Sequence, residues 1–545
     1  MKIAIYHGYE LGGSGSNEYT RYLARALAKK AHDVVLICGE SRPEKYEFIS
    51  RSVALGRHGQ PLERWSRETR LPASVTCYQL PRTSVLPVYL TDKQREGTVK
   101  MFPELTDSEL AEYHDVTLSA VSSVIRIEKP DVLHCNHLVY QPVVAAAACS
   151  ATATPYYVVP HGSAIEYTVK ADGRFRALAR RGLERAAGVI WIAREVRERI
   201  LSLYPMLRPD LEAKGHSVGV GTDTSLFKPL KPGERSSAFR RLAAQHRRGG
   251  KTGEQRAELR RALDAGNVEA TRRYWNAYDH RLEDDDLPAL LERVPHDASL
   301  LLFVGALTYG KGVQSLIAAL PSLLRRRPST HLVIVGSGTY REVLEGLVHV
   351  LATGNESAFE ALVSRGRDLE RADMSGPMDD VAAYASDPAN RREMWDNGPK
   401  LSRHVHFLGR LDHERLREIF PCCQIAVFPS IIKEASPLVL YEALANGVLP
   451  VGPYHSGLRD GLDELRTHLD AELWEKMKLP QEADLRVSGL VESLDALLGL
   501  VSERDLGHEL HQIAVEQHDW SVVAARLGEA IEEMLSTRMG HKGSA

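Results

Sequence analysis

Short apolar runs recur along the first half of the chain, each followed by a longer stretch with helical spacing. "KIAIY" (2–6), "DVVLIC" (33–38), "DVLHCN" (131–136), "PYYVV" (155–159) and "GVIWIA" (188–193) read as strands. They are continuously apolar rather than alternating, the pattern of a parallel sheet covered by helices on both faces. "EYTRYLARALAKK", after the first run, is one such covering helix. A second series starts near residue 299 with "SLLLFVG", "HLVIVG", "HVHFLG", "QIAVFPS" and "VLPVG". The pattern therefore predicts an α/β protein of two Rossmann-like, doubly wound domains facing across a ligand cleft. The expected boundaries are 1–218 and 219–519, hinged in "GVGTDTSLFKPLKPG" (219–233). The amphipathic stretch "WSVVAARLGEAIEEML" predicts a final helix, 520–537, that joins the first domain and packs across both.

Two stretches interrupt the second series. Residues 234–290 are Arg-rich and helical in pattern, and residues 350–400 read as further polar helices. The plain reading of the Arg-rich piece is a solvated helical face or mobile excursion; a sharper one is a patch for an anionic acceptor or acidic lipid surface.

Composition narrows the class without naming it. A chain of 545 residues exceeds one ordinary core, and 43% hydrophobic with 26% charged residues describes a globular protein. The formal net charge of -3 gives no global pull toward nucleic acid. Six cysteines (Cys38, Cys77, Cys135, Cys149, Cys422 and Cys423) form no CxxC pair and lie mostly in strand-like runs. That usage suggests a reducing compartment and no structural zinc. "MKIAIYHGYELGGSG" reads as a first strand and its loop, not a signal peptide, and no apolar run approaches the roughly 20 residues that span a bilayer. The expectation is a cytoplasmic protein, with peripheral contact at the inner membrane face left open.

Three motifs carry candidate chemistry. "ELGGSGSNEY" (10–19) follows the first strand and opens a helix, where glycines admit a ligand and free amides attract anions. It is not a clean GxGxxG, the fingerprint of a dinucleotide site. "FVGALTYGKGVQSLI" (303–317) repeats the design, with Lys311 placed to neutralise a diphosphate. In "KEASPLVLYEALANG" (433–447), Ser436 is the expected N-cap and Pro437 the first helical residue. The amides of Leu438 and Val439 would then be free for phosphate, with Glu434 before the helix and Glu442 inside it.

"EASPLVLYEALANGVLPV" resembles the E-x7-E signature of retaining nucleotide-sugar glycosyltransferases of GT-B architecture, the family 4 type. The resemblance extends through "GSGSNEYTRYLARAL", "VGVGTDTSLFKP", "GALTYGKGV" and "VHFLGRLDHERLREIFPCCQIAVFPS" to the terminal Trp520 helix. It implies that Glu434 contacts the transferred sugar and Glu442 the ribose, while Lys311 and the amides of Leu438 and Val439 carry the diphosphate. It places the base against the backbone of Gly409 and Arg410. Gly13 and Gly15, with Ser16 and Asn17 behind them, would close over phosphate and acceptor, and His161 would face the donor sugar. Two departures stand out. Ala306 occupies a position often held by a second cation, and Ser436-Pro437 replaces an aromatic–Gly step.

The implied function is transfer, with retention and without a metal or cofactor, from a nucleoside-diphosphate sugar to a sugar, glycan, lipid-linked or small-molecule hydroxyl. The rival readings are a related nucleotide-sugar epimerase, a phosphorylase, or a binding protein that has lost turnover.

Overall fold

The computed structural model describes residues 1–89, 98–275, 277–370 and 374–542. Residues 371–373 of the second polar stretch thus lie outside the described residues. The chain divides into two compact units, Met1–Gly221 with Gln517–Ala545, and Thr222–Glu516.

In the first unit, nine strands form one sheet: β1 (Lys2–Tyr6), β2 (Asp33–Cys38), β3 (Arg51–Leu55), β4 (Pro61–Ser66), β5 (Val75–Gln79), and, after the separate pair β6 (Leu86–Val88) and β7 (Val99–Met101), β8 (Val132–Asn136), β9 (Tyr156–Val159), β10 (Gly188–Trp191) and β11 (Gly215–Ser217). Their order is β11-β10-β9-β8-β1-β2-β5-β3-β4. All neighbours pair in parallel except β3 with β4. Ile3 lies level with Val34 on one side and Val132 on the other, so β1 is central and buried, as its unbroken apolar run requires. The order reverses between β1 and β8, and the loops after these two strands meet at that switch point, where open α/β sheets hold ligands.

The helix Gly15–Lys29 packs on the final helix Trp520–Lys542, with the Trp520 ring stacked on Tyr22 and edge-on to Tyr19. All six cysteines are free and buried.

The second unit holds a six-stranded parallel sheet: β12 (Ser299–Val304), β13 (Thr330–Val335), β14 (Val405–Gly409), β15 (Ile425–Val427), β16 (Leu449–Pro453) and β17 (Lys478–Leu479). The order β14-β13-β12-β15-β16-β17 is the Rossmann order 3-2-1-4-5-6, with its switch point between β12 and β15. The helix Val313–Arg326 is buried over most of its length.

The Arg-rich insertion is helical and exposes most of its arginines, among them Arg240, Arg247, Arg248, Arg260 and Arg261, as a solvated face would, but it also sends two cations inward. Lys251 is 0% exposed; its Nζ lies 3.1 Å from Glu342 Oε1 and 2.8 Å from Glu345 Oε2, both on the helix Arg341–Thr353. Arg256 and the buried Arg341 both grip Asp284, and Arg256 also grips Asp286. Just beyond, the Asp284 N–H donates to Leu408 O (3.0 Å) and the Arg410 N–H to Leu282 O (3.1 Å), laying the insertion antiparallel on the end of edge strand β14. Gly409 has φ +76, and a Cβ there would stand 2.7 Å from Asp284 N, so only glycine permits this approach. Burying charges is costly unless each is paired, and pairing is what draws the insertion inward. No described helix is long and apolar enough to cross a membrane.

Candidate functional site

The loops that follow β12 and β15 are laced together. Gly310 O accepts the N–H groups of Ile431 (2.8 Å) and Ile432 (3.2 Å). Gly312 sits at φ +72 with its Cα face turned onto Pro429, where a Cβ would come within 1.9 Å of the Pro429 oxygen. This close approach brings two expected site residues together: Lys311 Nζ is ion-paired with Glu434 Oε1. Ser430 Oγ adds a second donor to the same oxygen at 2.6 Å. Burial pushes the Glu434 carboxyl up, but the Lys311 charge and the hydrogen bonds from Lys311 and Ser430 outweigh it, and the net shift is downward. Glu434 is therefore a carboxylate at neutral pH.

Helix Leu438–Ala445 begins one residue later than the sequence suggested. Pro437 is the N-cap, with ψ 109, and neither it nor Ser436 caps the helix through a side chain. An extended Pro437 cannot also be the first helical residue. The correction leaves the amides of Leu438 and Val439 in the first turn, where helix amides have no intrahelical acceptor.

Glu442, inside this helix, is 5% exposed and turns toward the start of helix His413–Ile419, where His413 Nε2 lies 3.2 Å from Glu442 Oε1. Its Oε2 is shielded and has no hydrogen-bond partner among the described residues. A lone buried carboxylate oxygen costs about 1–3 kcal/mol, which a hydroxyl donor relieves. His413 was not singled out from the sequence, because a lone histidine after a strand carries no signal until the fold brings it to Glu442. On the ribose-binding role that the resemblance implies, Glu442→Ala is expected to raise the KM for a nucleotide-sugar donor roughly ten- to hundredfold with a smaller change in kcat, as hydrogen bonds to a charged group contribute about 1.5–3 kcal/mol; steady-state kinetics read the split.

The backbone expected to meet a base is already engaged. The Arg410 N–H goes to Leu282 O, and Gly409 O accepts from Gly336 N (2.8 Å). Ala306 is exposed in the loop after β12. Among the described residues, no group of three or more His, Cys, Asp or Glu side chains is arranged to hold a metal ion.

In the first unit, the loop after β1 leaves Gly13 (φ +102) and Gly15 exposed, with Ser14 capping the helix through Asn17 N. Ser16 O accepts from Thr20 Oγ1 (2.8 Å). Asn17, expected on the acceptor side, is instead 2% exposed and inside the fold: Nδ2 donates to Gly12 O (2.7 Å) and Oδ1 faces His7 Nε2 (2.9 Å). Its amide shapes the loop from behind. His161, at the end of β9, is 7% exposed and lies 3.0 Å from Asn136 Oδ1 through Nε2. Burial, then His7 and His134, push its imidazole down to about 3. His134 and Asn136 stand two residues apart, as polar residues on one face of an otherwise apolar strand, and that spacing is the sequence signal for them.

Comparison with known proteins agrees with this architecture. Residues 14–210 match the family model described as "Glycosyl transferase 4-like domain". Residues 292–366 and 394–470 match "Glycosyl transferases group 1". The chain is 42% identical over 71 residues to "Uncharacterized glycosyltransferase MJ1607" of Methanocaldococcus jannaschii, a match spanning 13% of this chain and 18% of that protein's length. Sucrose-phosphate synthase of Thermosynechococcus elongatus superposes with TM-score 0.54 at 17% identity, over 98% of this chain and 99% of that one. The catalytic domain of starch synthase IV from Arabidopsis thaliana, bound to ADP and acarbose, gives TM-score 0.56 at 13% identity, over 98% and 99%. Anabaena Alr3699/HepE in complex with UDP gives TM-score 0.53 at 12% identity, over 98% and 100%. With a 4-like domain model matched in its first unit and a group 1 model in its second, the chain belongs to the glycosyltransferases of GT-B architecture.

Proposed function

We propose that this glycosyltransferase moves a sugar from a nucleoside-diphosphate donor to an acceptor hydroxyl with retention of configuration and without a metal. The observation that supports this most is the Lys311–Glu434 pair at the β12/β15 switch point, beside the uncapped start of the Leu438–Ala445 helix. That set of groups suits a donor that is anionic at one end and hydroxylated at the other. Lys311 and the amides of Leu438 and Val439 take the diphosphate. The Glu434 carboxylate accepts sugar hydroxyls, and Glu442, with His413 behind it, accepts from the ribose.

In the step itself, the bond from the anomeric carbon to the diphosphate oxygen breaks as the acceptor oxygen bonds to the same face. The acceptor proton passes to the departing diphosphate oxygen. Charge builds on that leaving group, so Lys311 and the helix amides act in the transition state more than in the ground state. Glu434 orients the sugar and forms no covalent bond. His161 contributes to the transfer as a neutral imidazole. Proteins of this fold are described in complex with UDP, UDP-glucose or ADP; a uridine or adenosine donor is accordingly the first choice here.

A thermal-shift screen of UDP-, GDP- and ADP-sugars, followed by NMR of the product anomer, tests the reading. An inverted anomer, a product formed only with inorganic phosphate, or free isomerised sugar without acceptor each replaces it with another reaction. Treatment with EDTA is expected to leave the rate unchanged; a large loss restored by a divalent cation ends the metal-free scheme.

A further inference from the structure

We propose that Asn136 is a positioning residue for His161, holding that ring as the Nε2–H tautomer with Nδ1 as its hydrogen-bond acceptor. The inference about the ring stands on hydrogen-bond geometry alone; its consequence for turnover rests on the role given to His161 above.

Two independent chains of hydrogen bonds fix the orientation of the Asn136 amide. The first begins at a backbone carbonyl, which only accepts. Ser16 O takes the Thr20 hydroxyl proton at 2.8 Å, the common back-bond of a helical threonine. Thr20 Oγ1 must then accept at its other contact, which is Asn136 Nδ2 at 2.8 Å. The amide nitrogen of Asn136 therefore faces Thr20, and its oxygen faces the other way. That oxygen lies 3.0 Å from His161 Nε2 and 3.0 Å from His134 Nε2. An amide oxygen cannot donate, so both imidazole nitrogens carry hydrogen.

The second chain starts in the glycine loop. Gly12 O accepts from Asn17 Nδ2 at 2.7 Å, which turns Asn17 Oδ1 toward His7 Nε2 at 2.9 Å. His7 thus donates from Nε2, and its Nδ1, 3.2 Å from Asn136 Nδ2, accepts. Both routes give Asn136 the same orientation. The Tyr157 hydroxyl, 2.9 Å from His134 Nδ1, donates there and leaves His134 Nε2 as the protonated atom in agreement.

Asn136 and His134 are each 0% exposed, so the shared amide oxygen is shielded from bulk solvent. With burial keeping His161 neutral, a proton on Nε2 leaves the lone pair on Nδ1. A ring in this state accepts from a hydroxyl; the opposite tautomer would present a donor from the same atom. Asn136 acts through the ring it orients, and the loop residue Gly12 is tied into the same network.

The test is nitrogen NMR on full-length protein labelled with 15N-histidine, the His161 signals being assigned by their loss in His161→Ala. Wild type is expected to show His161 protonated at Nε2 and bare at Nδ1. In Asn136→Leu the two tautomers mix, and kcat falls roughly ten- to hundredfold with donor KM within about threefold, the size of loss known for outer partners of metal-bound histidines. Thr20→Val, a gentler change that frees the Asn136 amide to turn over, is expected to give a smaller tautomer mixture in a protein that stays folded, its melting temperature lowered by the loss of one buried hydrogen bond. An Nδ1–H ring in wild type overturns the proposal outright. So does a folded Asn136→Leu variant that keeps both the Nε2–H ring and wild-type kcat. If His161→Ala itself turns over within twofold of wild type, the part given to His161 in transfer falls, while the tautomer measurement still decides the role of Asn136.

Discussion

Lys311→Ala is expected to lower kcat for transfer by about 10²–10³, the cost of removing one preorganised electrostatic group aimed at developing charge, about 2.7–4 kcal/mol. Nucleotide affinity is expected to fall much less, because in the proposed mechanism the charge that Lys311 meets grows as the diphosphate departs. The variant also removes the largest of the influences that hold the Glu434 carboxyl down against burial. A carboxyl with a depressed value is ionised over a wider range of acid pH, so losing its cation lifts the value. The acid limb of the rate profile should accordingly move to higher pH in Lys311→Ala, and less so in Lys311→Arg. Stopped-time assays over a pH series, with nucleotide binding by calorimetry, separate these effects. Wild-type turnover in Lys311→Ala removes the lysine from the leaving-group role.

The second large effect concerns stability rather than rate. Lys251→Ala strands Glu342 and Glu345, 0% and 8% exposed at their side chains, beside one fewer cation. Removing one partner of a buried ion pair costs about 3–5 kcal/mol. Lys251→Met, which keeps most of the volume, is expected to recover only the packing share. Burial pushes the Glu345 carboxyl up, but Lys251, Arg341 and Arg256 together hold it far below the usual carboxylate range. A depressed carboxyl contributes stability above its unfolded value and loses it as pH falls toward the folded one. Wild type should thus lose this contribution progressively below about pH 4.5. In Lys251→Ala the deficit should shrink over the same interval, since protonating Glu345 no longer sacrifices a lysine pair. Denaturant midpoints of the second unit at neutral and mildly acid pH report both. A neutral-pH midpoint equal to wild type would mean the lysine contributes nothing net.

The parallel core of each sheet was readable because a strand buried on both faces has no choice but an apolar run. β1, β2, β12 and β13 all announce themselves in this way. β3 and β4 did not, because β4 is largely exposed and its Pro61–Ser66 sequence has no apolar pattern. β17 has only two residues. At the site, Lys311 and Glu434 were legible from local motifs, since glycine turns and a helix start are written in adjacent residues. The partners that define their neighbours were not: His413 finds Glu442, and Asn136 finds His161, across stretches of chain that no window spans. The one-residue shift at Pro437 has a different origin, the small energetic distance between a capping proline and a first-turn proline. The two inward cations of the Arg-rich stretch, Lys251 and Arg256, were hidden for a third reason: a count of charges does not show which of them will be buried in pairs.

The strip Leu282–Asp284 lies on the rim of the second sheet, at the end of β14. A bare sheet border invites other chains to add to it, so the insertion works as a selvedge as well as a wall. It should drift freely at its outward arginines and hardly at all at Lys251, Arg256, Asp284 and the glycine it leans on. Chimaeras that exchange this stretch would have to carry Arg341, Glu342, Glu345 and Gly409 with it, as one heritable block.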